Sequence, residues 1–156
     1  MALHHKLINK AARAYWRITR PRTLGVRCLV IDPEDRIALV RHTYMAHWHL
    51  PGGGVKKRES FADALARELR EEVAIAEFEV ERVLGTYHSL REGKDDHIVI
   101  YVARTPRVQA SLARADLLEI ADARWFSLDD LPEDVSPATG RRIAEYRAGM
   151  TGTGTW

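Results

Sequence analysis

The sequence of residues 53–75 is GGVKKRESFADALARELREEVAI, a glycine-rich loop followed by an amphipathic helix. Ser60 is a typical N-cap residue, and Asp63 three positions later completes an approximate capping box. Apolar residues recur every four positions along the helix, at Phe61, Leu65, Leu69 and Val73. One face of the helix is therefore expected to pack on a β-sheet.

Three glutamates share another face of this helix. Glu68, Glu71 and Glu72 stand at positions i, i+3 and i+4, where like charges destabilise an isolated helix. A bound cation would neutralise them, and oxygen ligands without histidine favour Mg²⁺ or Mn²⁺ over zinc. The glycines at residues 52–54 allow a close backbone approach to a phosphate or metal. The alternative is a solvent-facing helix whose glutamates pair with its own arginines.

The three glutamates belong to a longer pattern. Gly53, Glu59 and the run RELREE at residues 67–72 follow one another with gaps of five and seven residues. This spacing, continued to Ile75, resembles the Nudix box of the Nudix hydrolase (MutT-like) family. One position departs from the family pattern, because Ala74 stands where the family has a glycine in the turn after the helix. That departure concerns local geometry more than catalysis.

The resemblance covers roughly residues 23–131 and includes the stretches WHLPGG at residues 48–53 and ARWFSL at residues 123–128. It implies an α/β/α sandwich around a mixed β-sheet. It also implies a metal-dependent enzyme that hydrolyses a diphosphate bond in a nucleoside diphosphate linked to another group. Elementary chemistry agrees, because Mg²⁺ neutralises the negative diphosphate oxygens and lowers the pKa of a bound water.

The resemblance also implies roles for individual residues. The implied metal ligands are the backbone carbonyl of Gly53 and the carboxylates of Glu68, Glu71, Glu72 and Glu119. Either Glu68 or Glu72 would orient or deprotonate the attacking water. Arg67 would hold a glutamate in place, and Glu59 would tie the loop to the helix.

Hydrophobic periodicity divides the rest of the chain into short elements. The predicted strands are residues 24–31, 36–41, 79–88, 97–103 and 123–126, and a second helix is predicted at residues 141–150. Strands mixed with a few helices independently favour an α/β sandwich. Residues 21–150 are expected to form one domain, preceded by a separate segment at residues 1–20 and followed by a flexible tail at residues 151–156.

Residues 1–20 are predicted to form a basic amphipathic helix. Its apolar positions are Leu3, Leu7, Ala11, Tyr15 and Ile18. Three interpretations of this helix stay open: packing on the domain, formation of a homodimer, and contact with an anionic membrane or RNA.

The composition excludes several classes of protein. With 156 residues, of which 46% are hydrophobic and 29% charged, the chain has room for one globular domain. No apolar run approaches the roughly 20 residues that span a bilayer, and residues 1–10 lack the pattern of a secretory signal. The single cysteine, Cys28, rules out an intrachain disulfide. We therefore expect a cytoplasmic protein.

The net charge of +2 conceals an uneven distribution. Residues 1–31 hold seven Lys or Arg and no Asp or Glu, which leaves 17 basic and 22 acidic residues, a net of −5, in the remainder. An acidic body repels phosphates, so a phosphate substrate needs local cations. Arg27, together with Arg20 and Arg22, lies near the first predicted strand and is the expected source.

Aromatic residues and histidines are the other candidates for substrate contacts. Tyr44, Trp48 and Tyr87 are candidates for stacking on a nucleobase, with core packing the alternative for Trp48. His88 and His97 lie on predicted strands and are candidates for contact with a base or phosphate. The other histidines lack zinc spacing and are expected on the surface or in loops: His4, His5, His42, His47 and His49.

These observations predict a Mg²⁺-dependent pyrophosphohydrolase that acts on a small nucleoside diphosphate derivative. No proline occurs between Pro51 and Pro106, so the proline-bearing signature of NADH-cleaving and some ADP-sugar-cleaving members is missing. The sequence does not choose among nucleoside triphosphates, dinucleoside polyphosphates, other nucleotide sugars and capped RNA. The alternatives are a nucleotide-binding sensor of the same fold that does not hydrolyse, and an RNA-associated module.

Overall fold

The computed structural model of the protein describes residues 22–90, 95–114 and 116–156, and the helix predicted at residues 1–20 lies outside them. The described residues form seven strands and two helices. In chain order these are β1 (Arg22–Ile31), β2 (Arg36–His42), β3 (Trp48–His49), α1 (Phe61–Val73), β4 (Glu79–Ser89), β5 (Asp95–Arg104), β6 (Ile120–Ser127), α2 (Pro137–Arg147) and β7 (Gly152–Thr155).

All seven strands join one mixed sheet. Its order is β3-β2-β1-β5-β4-β7, and β6 pairs with β2. β1 and β5 are parallel along their whole length, from Arg22 opposite Asp95 to Ile31 opposite Arg104. β4 and β7 are also parallel, whereas the remaining pairs are antiparallel. The parallel pair β1–β5 therefore joins the N-terminal strands to the later ones.

A helix covers each face of the sheet. Alternate residues of β1, such as Val26 and Cys28, pack with the apolar face of α1. The intervening residues, such as Leu29, pack in a second core with Leu50 and with Ile143 of α2. The two cores are separated by the sheet because successive strand side chains point to opposite faces. The predicted α/β/α sandwich is confirmed.

Helix α1 begins and ends as its sequence dictates. The Ser60 hydroxyl accepts a hydrogen bond from the Asp63 amide at 3.1 Å, and the Asp63 carboxylate accepts from the Ser60 amide at 3.3 Å. These bonds form the predicted capping box. At the other end Ala74 adopts a left-handed conformation with φ 54° and ψ 30°. The three glutamates thus lie on a helix whose two ends are sharply defined.

In the C-terminal part, the second predicted helix is present with different bounds, and the prediction of a flexible tail is wrong. The second helix begins at Pro137, with Ser136 as its N-cap, and ends at Arg147 instead of Met150. Residues 151–156 were expected to be a flexible tail, but Gly152–Thr155 form β7 on the edge of β4. Within the described residues, no helix is both long enough and apolar enough to cross a membrane.

Candidate active site

The glycine loop at residues 52–54 lies directly against β1. Its path is fixed by two backbone hydrogen bonds, from Val26 to the Gly53 carbonyl at 2.9 Å and from Cys28 to the Pro51 carbonyl at 3.0 Å. Gly52 has a φ of +134°, and a side chain there would overlap the backbone of β1. A Cβ on Gly53 would overlap the carboxylate of Glu68. Glycine is therefore required at position 52, whereas a side chain at position 53 would displace the Glu68 carboxylate from the loop.

Arg67 holds the loop and the helix together. Its guanidinium donates to both carboxylate oxygens of Glu59, at 2.8 and 3.0 Å, and to the Gly54 carbonyl at 2.9 Å. It also donates to Glu68 at 2.6 Å and to Glu71 at 3.2 Å. The hydrogen bonds from Arg67 lower the pKa of Glu59 to about 2, with a further contribution from the Lys56 amide. These contacts are those the sequence implied for Arg67 and Glu59.

Glu72 is the most deeply buried of the three helix glutamates. The residue is 4% exposed, and one carboxylate oxygen accepts a hydrogen bond of 2.7 Å from the Gly52 amide. Its other oxygen lies 3.8 Å from Nε2 of His42. Burial raises the pKa of Glu72 to about 8, although the nearby positive charge of Arg27 and the Gly52 amide act in the opposite direction. A buried carboxylate of this kind favours a bound cation.

Glu119 approaches Glu72 from the start of β6. The Tyr44 hydroxyl donates to Glu119 at 3.1 Å, and Nδ1 of His42 lies 3.9 Å from the same carboxylate oxygen. Each of His42, Glu72 and Glu119 offers one ligand atom, and these atoms lie within 4.8 Å of one another. Burial, together with the charge of Arg27, lowers the pKa of His42 to about 4, so its imidazole is neutral and able to bind a cation.

Arg27 supplies a cation beside these carboxylates. It projects from β1 and is half-buried, and its NH1 nitrogen is buried without a hydrogen-bond partner in the described residues. Arg27, His42, Glu72 and Glu119 line one cavity of about 530 Å³, together with the glycine loop, Lys56, Arg67, Glu68 and Glu71. The same cavity is therefore lined by an acidic cluster and by a guanidinium whose NH1 nitrogen is, within the described part of the chain, free to donate.

Three residues predicted to bind substrate lie elsewhere. Trp48 is 3% exposed and packs edge-on against Phe126 in the core, so its ring is not available to a base. Tyr87 and His88 lie on β4, which β5 separates from β1. They line a different cavity, of about 290 Å³, and therefore do not join the carboxylates as expected.

His42 is the site residue that sequence reasoning missed. It was expected in a loop or on the surface, yet it is 5% exposed at the end of β2. The pairing of β2 with β6 sets His42 opposite Ile120, next to Glu119. The position of His42 at the end of an apolar strand indicates that it could be buried. It does not indicate that β6, and with it Glu119, lies alongside.

Known proteins resemble this chain in sequence. The sequence model of the NUDIX domain matches residues 21–146 of this chain. A protein of Bacillus subtilis (strain 168) named "Putative 8-oxo-dGTP diphosphatase" is 28% identical over 127 residues, which span 81% of each chain. The NAD-capped RNA hydrolase NudC of Mycobacterium tuberculosis is 32% identical over 139 residues, which span 79% of this chain but only 41% of NudC.

The fold has solved counterparts as well. A NUDIX hydrolase from Nitrosomonas europaea superimposes with a TM-score of 0.68 at 21% identity, over 85% of this chain and 93% of the other. The MutT NUDIX hydrolase from Burkholderia pseudomallei gives a TM-score of 0.65 at 24% identity, over 80% and 97%. The chain belongs to the Nudix family and is a pyrophosphohydrolase of that family.

Proposed function

We propose that this protein uses Mg²⁺ to hydrolyse the diphosphate linkage of a nucleoside diphosphate derivative. The observation that carries the proposal is that one cavity is lined by the buried Glu72 carboxylate and by Arg27, whose NH1 nitrogen has no hydrogen-bond partner among the described residues. The carboxylate can bind a cation and the guanidinium can bind an anion. A diphosphate with a bound metal ion supplies an anion and a cation together.

The donor atoms of the site fit a hard divalent cation. Glu68, Glu71, Glu72 and Glu119 line the cavity and offer carboxylate oxygens. The Gly53 carbonyl is a further candidate, and it already accepts one hydrogen bond from β1. Oxygen donors of this kind suit Mg²⁺ or Mn²⁺. When bound, the ion would neutralise the diphosphate oxygens and lower the pKa of a bound water.

The protein's own groups then position the reactants. Arg67 fixes Glu68 and Glu71 through hydrogen bonds, so the two carboxylates need not be ordered when a cation binds. One oxygen of Glu72 is held by the Gly52 amide, which leaves the other to orient the attacking water and to accept its proton. Arg27 would donate to a phosphate oxygen and so stabilise the charge on the departing group.

A second cavity, of about 330 Å³, gives room for the nucleoside or the attached group. It shares Arg27, His42 and Tyr44 with the site cavity and extends towards His49 and Trp156. The rings of Tyr44 and Trp156 line this space and suit a nucleobase, which stacks on aromatic faces. The named activities of the relatives, on 8-oxo-dGTP, ADP-ribose and NAD-capped RNA, all concern nucleotides and support this substrate class.

The test is a hydrolysis assay on a panel of nucleotides. The panel comprises nucleoside triphosphates including 8-oxo-dGTP, dinucleoside polyphosphates, nucleotide sugars including ADP-ribose, and capped RNA, each with Mg²⁺ or with EDTA. We expect Mg²⁺-dependent cleavage of at least one class, with a nucleoside monophosphate among the products. Tight binding of a nucleotide without turnover would identify a sensor instead, and cleavage that persists in EDTA would exclude the metal from the reaction.

A further inference from the structure

A second group of metal-binding side chains lies away from the catalytic carboxylates. β4 and β5 pair so that His88 stands directly opposite His97. Asp95 precedes His97 by two residues, and side chains two apart on a strand share one face. The strand register therefore collects two imidazoles and one carboxylate on the same face, at the end of the β4–β5 ladder.

The three side chains converge on a single atom. Nε2 of His88 lies 2.7 Å from Oδ1 of Asp95, and Nε2 of His97 lies 3.2 Å from the same oxygen. The two imidazole rings are 4.9 Å apart between centroids, with an interplanar angle of 35°. Each residue thus offers one ligand atom within 4.8 Å of the other two. A cation bound among these atoms would take the place of the direct contacts between the imidazole nitrogens and Asp95.

We propose that His88, Asp95 and His97 form a second metal site, which takes a borderline divalent cation such as Zn²⁺. Two imidazole nitrogens with one carboxylate oxygen suit Zn²⁺, Ni²⁺ or Cu²⁺, whereas Mg²⁺ prefers oxygen donors alone. The His88, Asp95 and His97 side chains are 46%, 28% and 48% exposed, so a cation reaches them and keeps a position for water. Nothing in the proposed hydrolysis uses these residues.

Among the residues that the structure describes, Arg22 forms an ion pair with this cluster and does not block it. Arg22 approaches Asp95 through the other carboxylate oxygen, Oδ2, at 3.7 Å, and its side chain is 77% exposed. An ion pair this exposed contributes little, so Oδ1 remains available to a cation. Bound Zn²⁺ would join β4 to β5 by side-chain ligation in addition to their backbone hydrogen bonds.

Calorimetric titration of the full chain with Zn²⁺, in excess Mg²⁺ that occupies the carboxylate site, tests the proposal. We expect one site that His97→Asn weakens by roughly tenfold or more, since loss of even an outer partner of a metal ligand costs that much. The exposed His47→Asn and the His4→Asn/His5→Asn pair serve as matched controls and retain the affinity. Glu72→Gln also retains it, because the catalytic cluster is separate.

A second measurement does not depend on any variant. In an NMR spectrum of the native protein in excess Mg²⁺, substoichiometric Zn²⁺ should shift the imidazole signals of His88 and His97 before those of other histidines. The proposal is overturned if His97→Asn binds Zn²⁺ as tightly as the native chain, if Glu72→Gln abolishes binding, or if no site is found. Each of these results leaves the proposed hydrolysis untouched, since that depends on Mg²⁺ and the carboxylates of α1.

Discussion

Glu72 combines burial with an ionisable group, two properties that rarely coexist without a partner. Only 4% of the residue is exposed, and its one described hydrogen-bond donor is the Gly52 amide. The cost of burying the carboxylate appears in its pKa, which burial raises to about 8. Replacing this carboxylate by a neutral amide of the same shape therefore distinguishes its effect on the free energy of unfolding from its effect on turnover.

We predict that Glu72→Gln lowers the turnover number by roughly a thousandfold or more, about 4 kcal/mol of activation free energy. The free energy of unfolding without metal should stay equal or rise, since the amide carries no charge to desolvate. Turnover assays and urea unfolding measure the two quantities. Glu77→Gln, at an exposed position, is the matched control and should change neither. Native turnover in purified Glu72→Gln would remove this carboxylate from the mechanism.

Arg27 is the cation that compensates for the acidic surroundings of the site. We predict that Arg27→Met lowers kcat/KM by roughly 10- to 150-fold, equivalent to about 1.5–3 kcal/mol for a hydrogen bond to a charged group. Arg107 is 81% exposed, and Arg107→Met provides the control with the same chemical change. Steady-state kinetics on the best substrate measures kcat/KM for both variants and the native protein. An unchanged kcat/KM in Arg27→Met would mean that the guanidinium does not contact the substrate.

At the scale of single elements, helix α1 ends on a strained residue. Ala74 is exposed and has a φ of 54°, a left-handed conformation that a side chain disfavours. We predict that Ala74→Gly raises the free energy of unfolding by about 1 kcal/mol, or the melting temperature by roughly 2–4 °C. Thermal unfolding measures the change.

The control for this substitution lies in the same helix. Ala66→Gly makes an identical change in the middle of α1, where glycine lowers stability by about 1 kcal/mol. The two variants should therefore shift the melting temperature in opposite directions. A fall in stability for both would show that the left-handed turn at Ala74 carries no strain.

The elements differ in how well sequence alone predicts them. Helix α1 was predicted correctly because its capping box and four-residue repeat involve neighbouring residues only. Strand β7 was missed because TGTGT at residues 151–155 has no apolar pattern. Its structure depends on β4 and on Trp156, whose amide donates to the His88 carbonyl at 2.9 Å. Strand formation of this kind depends on a distant partner and not on local propensity.

At the scale of the whole molecule, some parts of the site depend on neighbouring residues in the sequence and others depend on distant strands. The shared face of the three α1 carboxylates follows from their spacing on one helix and was predictable. The contacts of Arg67 were implied by the family resemblance and not by this spacing. The approach of His42 to Glu72 follows from the register of β2 against β6, whereas Glu119 was expected at the site from the family resemblance alone. Register across a sheet is set by side-chain packing over many residues, which one sequence does not reveal. The structure supports the core-packing alternative for Trp48, and Tyr87 lines a different cavity from the carboxylates.

The stability of the whole molecule should also depend on pH through His49. This residue is half-buried, and its Nε2 has no hydrogen-bond partner in the described residues. Burial lowers its pKa from 6.5 to about 4, with smaller contributions from His42 and Arg27. Because the folded state resists protonation, this contribution to stability is complete above about pH 6.5 and is lost as the pH falls towards 4.

We therefore predict that the native chain loses free energy of unfolding between pH 6.5 and 4, and that His49→Gln loses less over this interval. Urea unfolding at several pH values measures both curves. The difference between the two proteins should grow from pH 6.5 downwards, since only the native chain must exclude a proton from this position. Parallel curves for native protein and variant would show that His49 does not contribute.

The parallel pairing of β1 with β5 has a consequence for how the protein is made. Every residue of β1 pairs with one 73 positions later in the chain, from Arg22 with Asp95 to Ile31 with Arg104. A ribosome adds about 5–20 residues per second, so the partner strand follows β1 by roughly 4–15 s. During that interval β1 and β2 present an open, strongly apolar edge to the cell. We expect chaperones to bind nascent chains that contain β1 and β2 but not yet β5. The sheet can be completed only after β5 has been synthesised.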